Sequence, residues 1–180
     1  MCNTTNNTKQ RIADAVEELI CVQPEGKITV QQIMELTQMN RQSFYYHYQD
    51  VPAVLERIIL RKFCLPMAFN PREDVETWCE RGLRLLEGNK TLLRRISREL
   101  GNAKMYALVA PVVWPQVERL IPVKAGQDLQ LRQRAVDSIS KGLLCSVTGI
   151  IVREQSEDIA ESMESLRAVL TVLGAKSTPS

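Results

Sequence analysis

Apolar residues recur along this chain at spacings of three and four, and few segments alternate with period two, so the pattern predicts helices almost throughout. Ile12, Val16, Leu19 and Ile20 share one face of a first helix from about Thr8 to Val22, which Pro24-Glu25-Gly26 ends. Residues 28–33 mark a second start, with Thr29 placed to cap, Gln32 to return the bond and Ile28 to staple on Ile33. That helix is short, reaching about Leu36. After the break Thr37-Gln38-Met39-Asn40 the signature repeats: Asn40 caps, Met39 faces Phe44, and a third helix ends near Tyr48. Asp50 caps a fourth helix, with Pro52 tolerated in its first turn.

Beyond residue 65 the predicted helices lengthen. Asn70-Pro71 reads as a cap and first-position proline for a helix to about Glu87, with Val75, Trp78, Cys79, Gly82, Leu85 and Leu86 as its buried stripe. Leu92, Leu93, Ile96 and Leu100 mark a shorter helix. The next, about Ala103 to Leu120, contains Pro111 and Pro115 and is expected to be kinked or broken. Two more are expected, from about Asp128 to Arg153 and from Ser156 to Leu173. The fold class is thus all-α with about nine helices. A three-helix unit over residues 8–50 is followed by a connecting helix over 51–64 and a helical domain over 65–175.

Composition narrows the function. Of 180 residues 44% are hydrophobic and 24% charged, the balance of an ordinary globular chain. The longest mostly apolar stretch, Gly142 to Val152, falls short of the roughly 18 residues that span a bilayer. The polar start, Met1 to Asn7, lacks the features of a signal peptide. A cytoplasmic protein with no membrane partner is expected, and its cysteines, at 2, 21, 64, 79 and 145, are expected to be thiols. The single histidine, His47, cannot build a two-histidine metal site, and Ser/His/Asp or Cys/His catalysis would have to run through it. Neither G-x-G-x-x-G nor G-x-x-x-x-G-K-[ST] occurs. No enzyme activity, cofactor or metal is expected. With a net charge of +2, a basic surface for nucleic acid would have to be local.

Two short helices around a tight turn fit a helix-turn-helix. The second reads Arg41-Gln42-Ser43-Phe44-Tyr45-Tyr46-His47-Tyr48. With Phe44 and Tyr48 inward at i and i+4, Arg41, Gln42, Tyr45 and Tyr46 are left for solvent or a partner. Exposed tyrosines beside an arginine and a glutamine suit DNA: Arg and Gln read base edges, while tyrosine hydroxyls and His47 hold phosphates. The competing reading is a solvated or core-packed helix face.

Over Thr8 to Phe63 the chain resembles the DNA-binding domain of the tetracycline-repressor family. The resemblance lies in Ile28 to Ile33, Asn40 to Tyr48, and Asp50 with the apolar fourth helix through Leu55. It is nearer still to a subgroup that includes regulators of dihydroxyacetone kinase. The resemblance implies a homodimeric transcription regulator on a pseudo-palindromic operator in double-stranded DNA, usually a repressor released by a small ligand. It places Arg41, Gln42, Tyr45 and Tyr46 toward the major groove, and Thr29, Ser43 and His47 at phosphates. The chain has Val51 where many members carry lysine, and its turn lacks their usual glycine. The alternatives are an activator controlled by a protein partner, or a helical adaptor without DNA function.

Two further expectations concern the C-terminal part. Met67, Trp78, Met105, Tyr106 and Trp114 are candidates to line a pocket for a small apolar effector, against the plainer reading that they are core. Ile139, Leu143, Val147 and Ile150 on one helix, with Ile159, Met163, Leu166, Leu170 and Leu173 on the next, are the candidate dimer interface. The cysteines read as small buried hydrophobes, with oxidant sensing by Cys79 or Cys145 as a lesser alternative.

Overall fold

Local side-chain chemistry starts each N-terminal helix. The structure, a computed structural model, describes residues 2–121, 123, 126, 128–152 and 168. Helix α1 spans Cys2–Val22 and so begins well before the expected Thr8. A tertiary bond anchors the added turns: Arg57 donates to Asn6 Oδ1 at 2.8 Å. Helix α2, Val30–Thr37, opens on a closed capping box. Thr29 Oγ1 accepts from the Gln32 N–H at 3.3 Å and Gln32 Oε1 accepts from the Thr29 N–H at 2.9 Å. Helix α3, Arg41–His47, opens where Asn40 Oδ1 accepts from the Ser43 N–H at 2.8 Å. Helix α4, Val51–Ile59, opens where Asp50 Oδ1 accepts from the Ala53 N–H at 2.9 Å. Each cap satisfies a main-chain donor that the first helical turn would otherwise leave unpaired.

The turn between α2 and α3 has no glycine, and Gln38 supplies the left-handed conformation at φ 55°. Its N–H still closes α2 by donating to Met34 O. Ile12, Val16 and Ile20 of α1, Ile33 of α2, Phe44 of α3 and Val54, Leu55 and Ile58 of α4 are all essentially inaccessible and form one core. That core does not stop at the expected boundary near residue 65, because Leu92, Leu93, Ile96 and Met105 belong to it.

The chain leaves α4 through a π-helical turn, Leu60–Cys64, which completes the expected 51–64 connection. Helix α5 spans Val75–Glu87, α6 Lys90–Leu120 and α7 Leu129–Val152. The cap of α5 is Asp74, not Asn70. Asp74 Oδ1 accepts from the Thr77 N–H at 2.8 Å and Oδ2 from its hydroxyl at 2.9 Å, while Asn70 turns back on the Arg72 N–H at 3.0 Å. These bonds hold the Asp74 carboxyl below the usual carboxylate range. The bend in α6 is at Gly101, φ 74° and ψ 164°, and not at Pro111 or Pro115, whose dihedrals stay helical. A proline in mid-helix forfeits one N–H bond, but φ near its fixed value still suits a helix, whereas Gly101 occupies a region essentially closed to other residues.

The described residues therefore contain seven α-helices where about nine were expected, and no strand. Two of the predicted helices join as the halves of α6, and the last, Ser156 to Leu173, lies outside the described residues. A second core gathers Trp78 and Cys79 of α5, Val113, Val117 and Leu120 of α6, and Val136 and Leu144 of α7. No described helix is long and apolar enough to cross a membrane.

Candidate nucleic-acid interface and apolar cavity

Helix α3 sorts its side chains sharply. Phe44 is 0% and Tyr48 7% exposed, and they fix the inner face. On the outer face Arg41 and Gln42 are exposed, with Tyr45 at 58% and Tyr46 at 79%. The two exposed tyrosines carry apolar area into water on the same side of the helix as the Arg41 and Gln42 side chains. Their rings are not loose. Tyr45 meets the buried Phe44 ring edge-on at 5.4 Å, and Tyr46 meets His47 in the same way at 4.9 Å. Quadrupole attraction favours both geometries.

Thr29, at the start of α2, is exposed, while Ser43 and His47 are half-buried on α3. Thr29 and Ser43 thus stand at helix starts, where the helix dipole favours an anion, although their own N–H groups are already engaged by Gln32 and Asn40. Thr29 and Tyr45 line the same groove, together with Lys27. Burial first, and the neighbouring Lys9 ammonium second, lower the His47 pKa below its ordinary value. The imidazole is therefore neutral at pH 7 in the free chain and offers an N–H to an acceptor. Around this surface the scaffold is tied down: Arg11 donates to Thr37 O, the C-terminal carbonyl of α2, at 2.9 Å.

A cavity of about 470 Å³ opens farther along the chain, where the π turn, α5, α6 and α7 meet. Met67, Trp78, Met105 and Tyr106 stand on its wall, as the sequence suggested for an effector site. Trp114 does not. With helical dihedrals kept through the prolines, Met105, Tyr106, Val109 and Val113 share one face of α6, and Trp114 projects from another. Phe63 and Cys64 of the π turn also line the cavity, and nothing in the local sequence marked them. Gly82 leaves the space that the Met67 side chain fills, since a Cβ there would lie 2.9 Å from the Met67 methyl. Trp78 is held by donating Nε1–H to Met67 O at 3.0 Å.

The candidate dimer residues fare differently. Ile139 and Leu143 pack, partly buried, against the second core and Val147 against the first. The side chain of Ile150, and Ile159, Met163, Leu166, Leu170 and Leu173 altogether, lie outside the described residues. Among the described residues no group of three His, Cys, Asp or Glu could hold a metal ion.

The chain matches no protein-family model, and no curated protein is significantly similar to it.

Proposed function

We propose that this chain is a sequence-specific DNA-binding transcription regulator, a homodimeric repressor that a small apolar ligand releases from its operator. The observation that carries the reading is the outer face of α3, where Arg41, Gln42, Tyr45 and Tyr46 stand out from a capped, tightly packed three-helix unit. A purely structural helix has no use for two exposed tyrosines beside a base-reading pair, whereas a major groove does. Resemblance to the tetracycline-repressor family points the same way.

The effector part of the proposal rests on connectivity. Three residues separate α3 from α4, and the π turn that continues α4 forms part of the cavity wall through Phe63 and Cys64. A ligand that prefers one position of this turn biases the position of α3. It shifts the DNA equilibrium only by its difference in affinity for the two states.

Selection of bound sequences from random duplexes by the purified full-length protein tests the reading. The expected outcome is an enriched pseudo-palindrome whose half-sites place two α3 helices about 34–36 Å apart. Arg41→Ala is expected to cost about 1–3 kcal/mol and relax preference at one base pair of each half-site. Recovery of no enriched motif from protein that is folded would overturn it. Binding to a motif that apolar compounds never weaken would favour the second reading, an activator controlled by a protein partner.

A further inference from the structure

Cys64 on the π turn, Cys79 on α5 and Cys145 on α7 come from separate parts of the chain, yet all line the one apolar cavity. They carry thiols, not disulfides. They do not form a chelate, since no described cluster of such side chains could hold a metal. Their environments differ. Cys64 is buried, its thiol 3.4 Å from Leu108 O, and burial pushes its pKa up, so it stays a protonated, unreactive donor. Cys79 is buried in the second core. Cys145 is exposed to solvent and also lines the cavity, which places it at the mouth, within reach of both water and a bound compound.

We infer that the cavity captures apolar α,β-unsaturated carbonyl compounds covalently, with Cys145 as the nucleophile. The apolar body of such a compound lies between Trp78, Met105 and Val109, where leaving water is favourable. Asn102, a polar residue on the same wall, can donate its side-chain amide to a carbonyl oxygen, whereas the Tyr106 hydroxyl is already directed at Asp137 Oδ1 at 3.4 Å. The Cys145 thiol loses its proton to water, and Sγ attacks the β-carbon. An S–C bond forms as the C=C π pair moves toward the carbonyl, and the resulting enolate takes a proton back from water at its α-carbon. The net change is thiol plus enone to thioether, with no oxidant or reductant. Binding beside the thiol converts a bimolecular encounter into a local one, which is the source of selectivity over other exposed thiols.

The inference rests on the proposed effector site, but its readout is independent of DNA. The reduced full-length protein is treated with 4-phenylbut-3-en-2-one, and adducts are located by peptide mass mapping over time. Cys21, exposed on α1 and outside the cavity, is the internal reference. Cys145 is expected to react at least about tenfold faster than Cys21, as proximity predicts. That preference is expected to vanish with acrylamide, which has no apolar body. The saturated ketone 4-phenylbutan-2-one, which cannot react, is expected to slow Cys145 and leave Cys21 unchanged, a check that needs no variant. Equal rates at the two thiols, or no protection by the saturated ketone, would overturn the inference. Capture at Cys145 that leaves operator binding unchanged would instead sink the effector reading and leave the chemistry standing.

Discussion

The Tyr48 hydroxyl donates to the main-chain oxygen of Lys9 at 3.1 Å, so the residue that ends α3 is bonded to the body of α1. Burial raises the Tyr48 pKa, and the nearby Arg57 and Arg61 only partly offset that, so the donor keeps its proton at neutral pH. The bond fixes the angle at which the exposed face of α3 is presented. Tyr48→Phe keeps the packing on Phe44 and removes only this bond, so it is expected to destabilise the fold by about 0.5–1.5 kcal/mol. Denaturant unfolding checks the figure. A variant as stable as the parent would mean that the bond contributes nothing net.

Gln38 stands where a glycine would be at ease. A side chain at φ 55° crowds its own backbone, at a cost of about 1–2 kcal/mol. Gln38→Gly is expected to recover about 0.5–1 kcal/mol, the relief being partly cancelled by the greater freedom of glycine in the unfolded chain. A lowered melting temperature would show that the Gln38 side chain makes a contact worth more than the strain.

Local chemistry explains which parts of this structure are legible in sequence. Thr29, Asn40 and Asp50 cap as expected because each bond closes within three residues and needs nothing distant. The inward and outward faces of α3 follow from helical spacing alone. At the start of α5 the local signal at Asn70 is overridden by distant groups. Arg119 donates to Glu73 O at 2.6 Å and Trp78 to Met67 O at 3.0 Å, which hold 67–74 as a turn and leave Asp74 to cap. The cavity is a similar case. Its apolar lining is visible as periodicity, but periodicity cannot separate a wall from a core, so spacing alone groups Trp114 with Trp78 and gives the π turn no mark. Nor does an apolar stripe on α7 say whose surface it meets, and Ile139, Leu143 and Val147 meet their own chain.

Gly101 bends α6 within the part that serves the first core: Leu92, Leu93 and Ile96 before it and Met105 after it all belong to that core, and only from about Val113 does the helix serve the second. No atom lies within 4 Å of a Cβ built there, so any penalty for substitution is in the backbone and not in packing. Gly101→Ala is expected to cost about 1–3 kcal/mol, measured by thermal unfolding. An unchanged melting temperature would mean that the two halves can realign without loss, and that the bend is not required.

The two tryptophans of the chain separate the cavity from its surroundings. Trp78 is on the wall with its indole N–H engaged, and Trp114 is off it. An apolar compound in the cavity is expected to change tryptophan emission through Trp78. Trp114→Phe should therefore keep most of the response and Trp78→Phe lose most of it, both read against a binding isotherm from thermal stabilisation. The reverse pattern would place the ligand elsewhere.

His47, the sole histidine, gives the proposed DNA contact a pH signature. In the free chain burial, with help from Lys9, holds its pKa below the ordinary histidine value. A phosphate against the ring favours the charged form and raises the pKa in the complex. The complex then binds more protons than the free partners, so affinity must rise as pH falls through the interval between the two pKa values. Below both values the gain is complete, and above both it is absent. Operator affinity is accordingly expected to increase between about pH 7.5 and 5.5, the range in which histidine titrates. In His47→Gln, which can still donate a hydrogen bond but cannot gain charge, the profile should be flat across that interval. Fluorescence anisotropy at constant ionic strength measures it, since salt alone changes affinity for phosphates steeply. A slope of equal size in the variant would remove His47 from the phosphate contact and assign the proton uptake to another group.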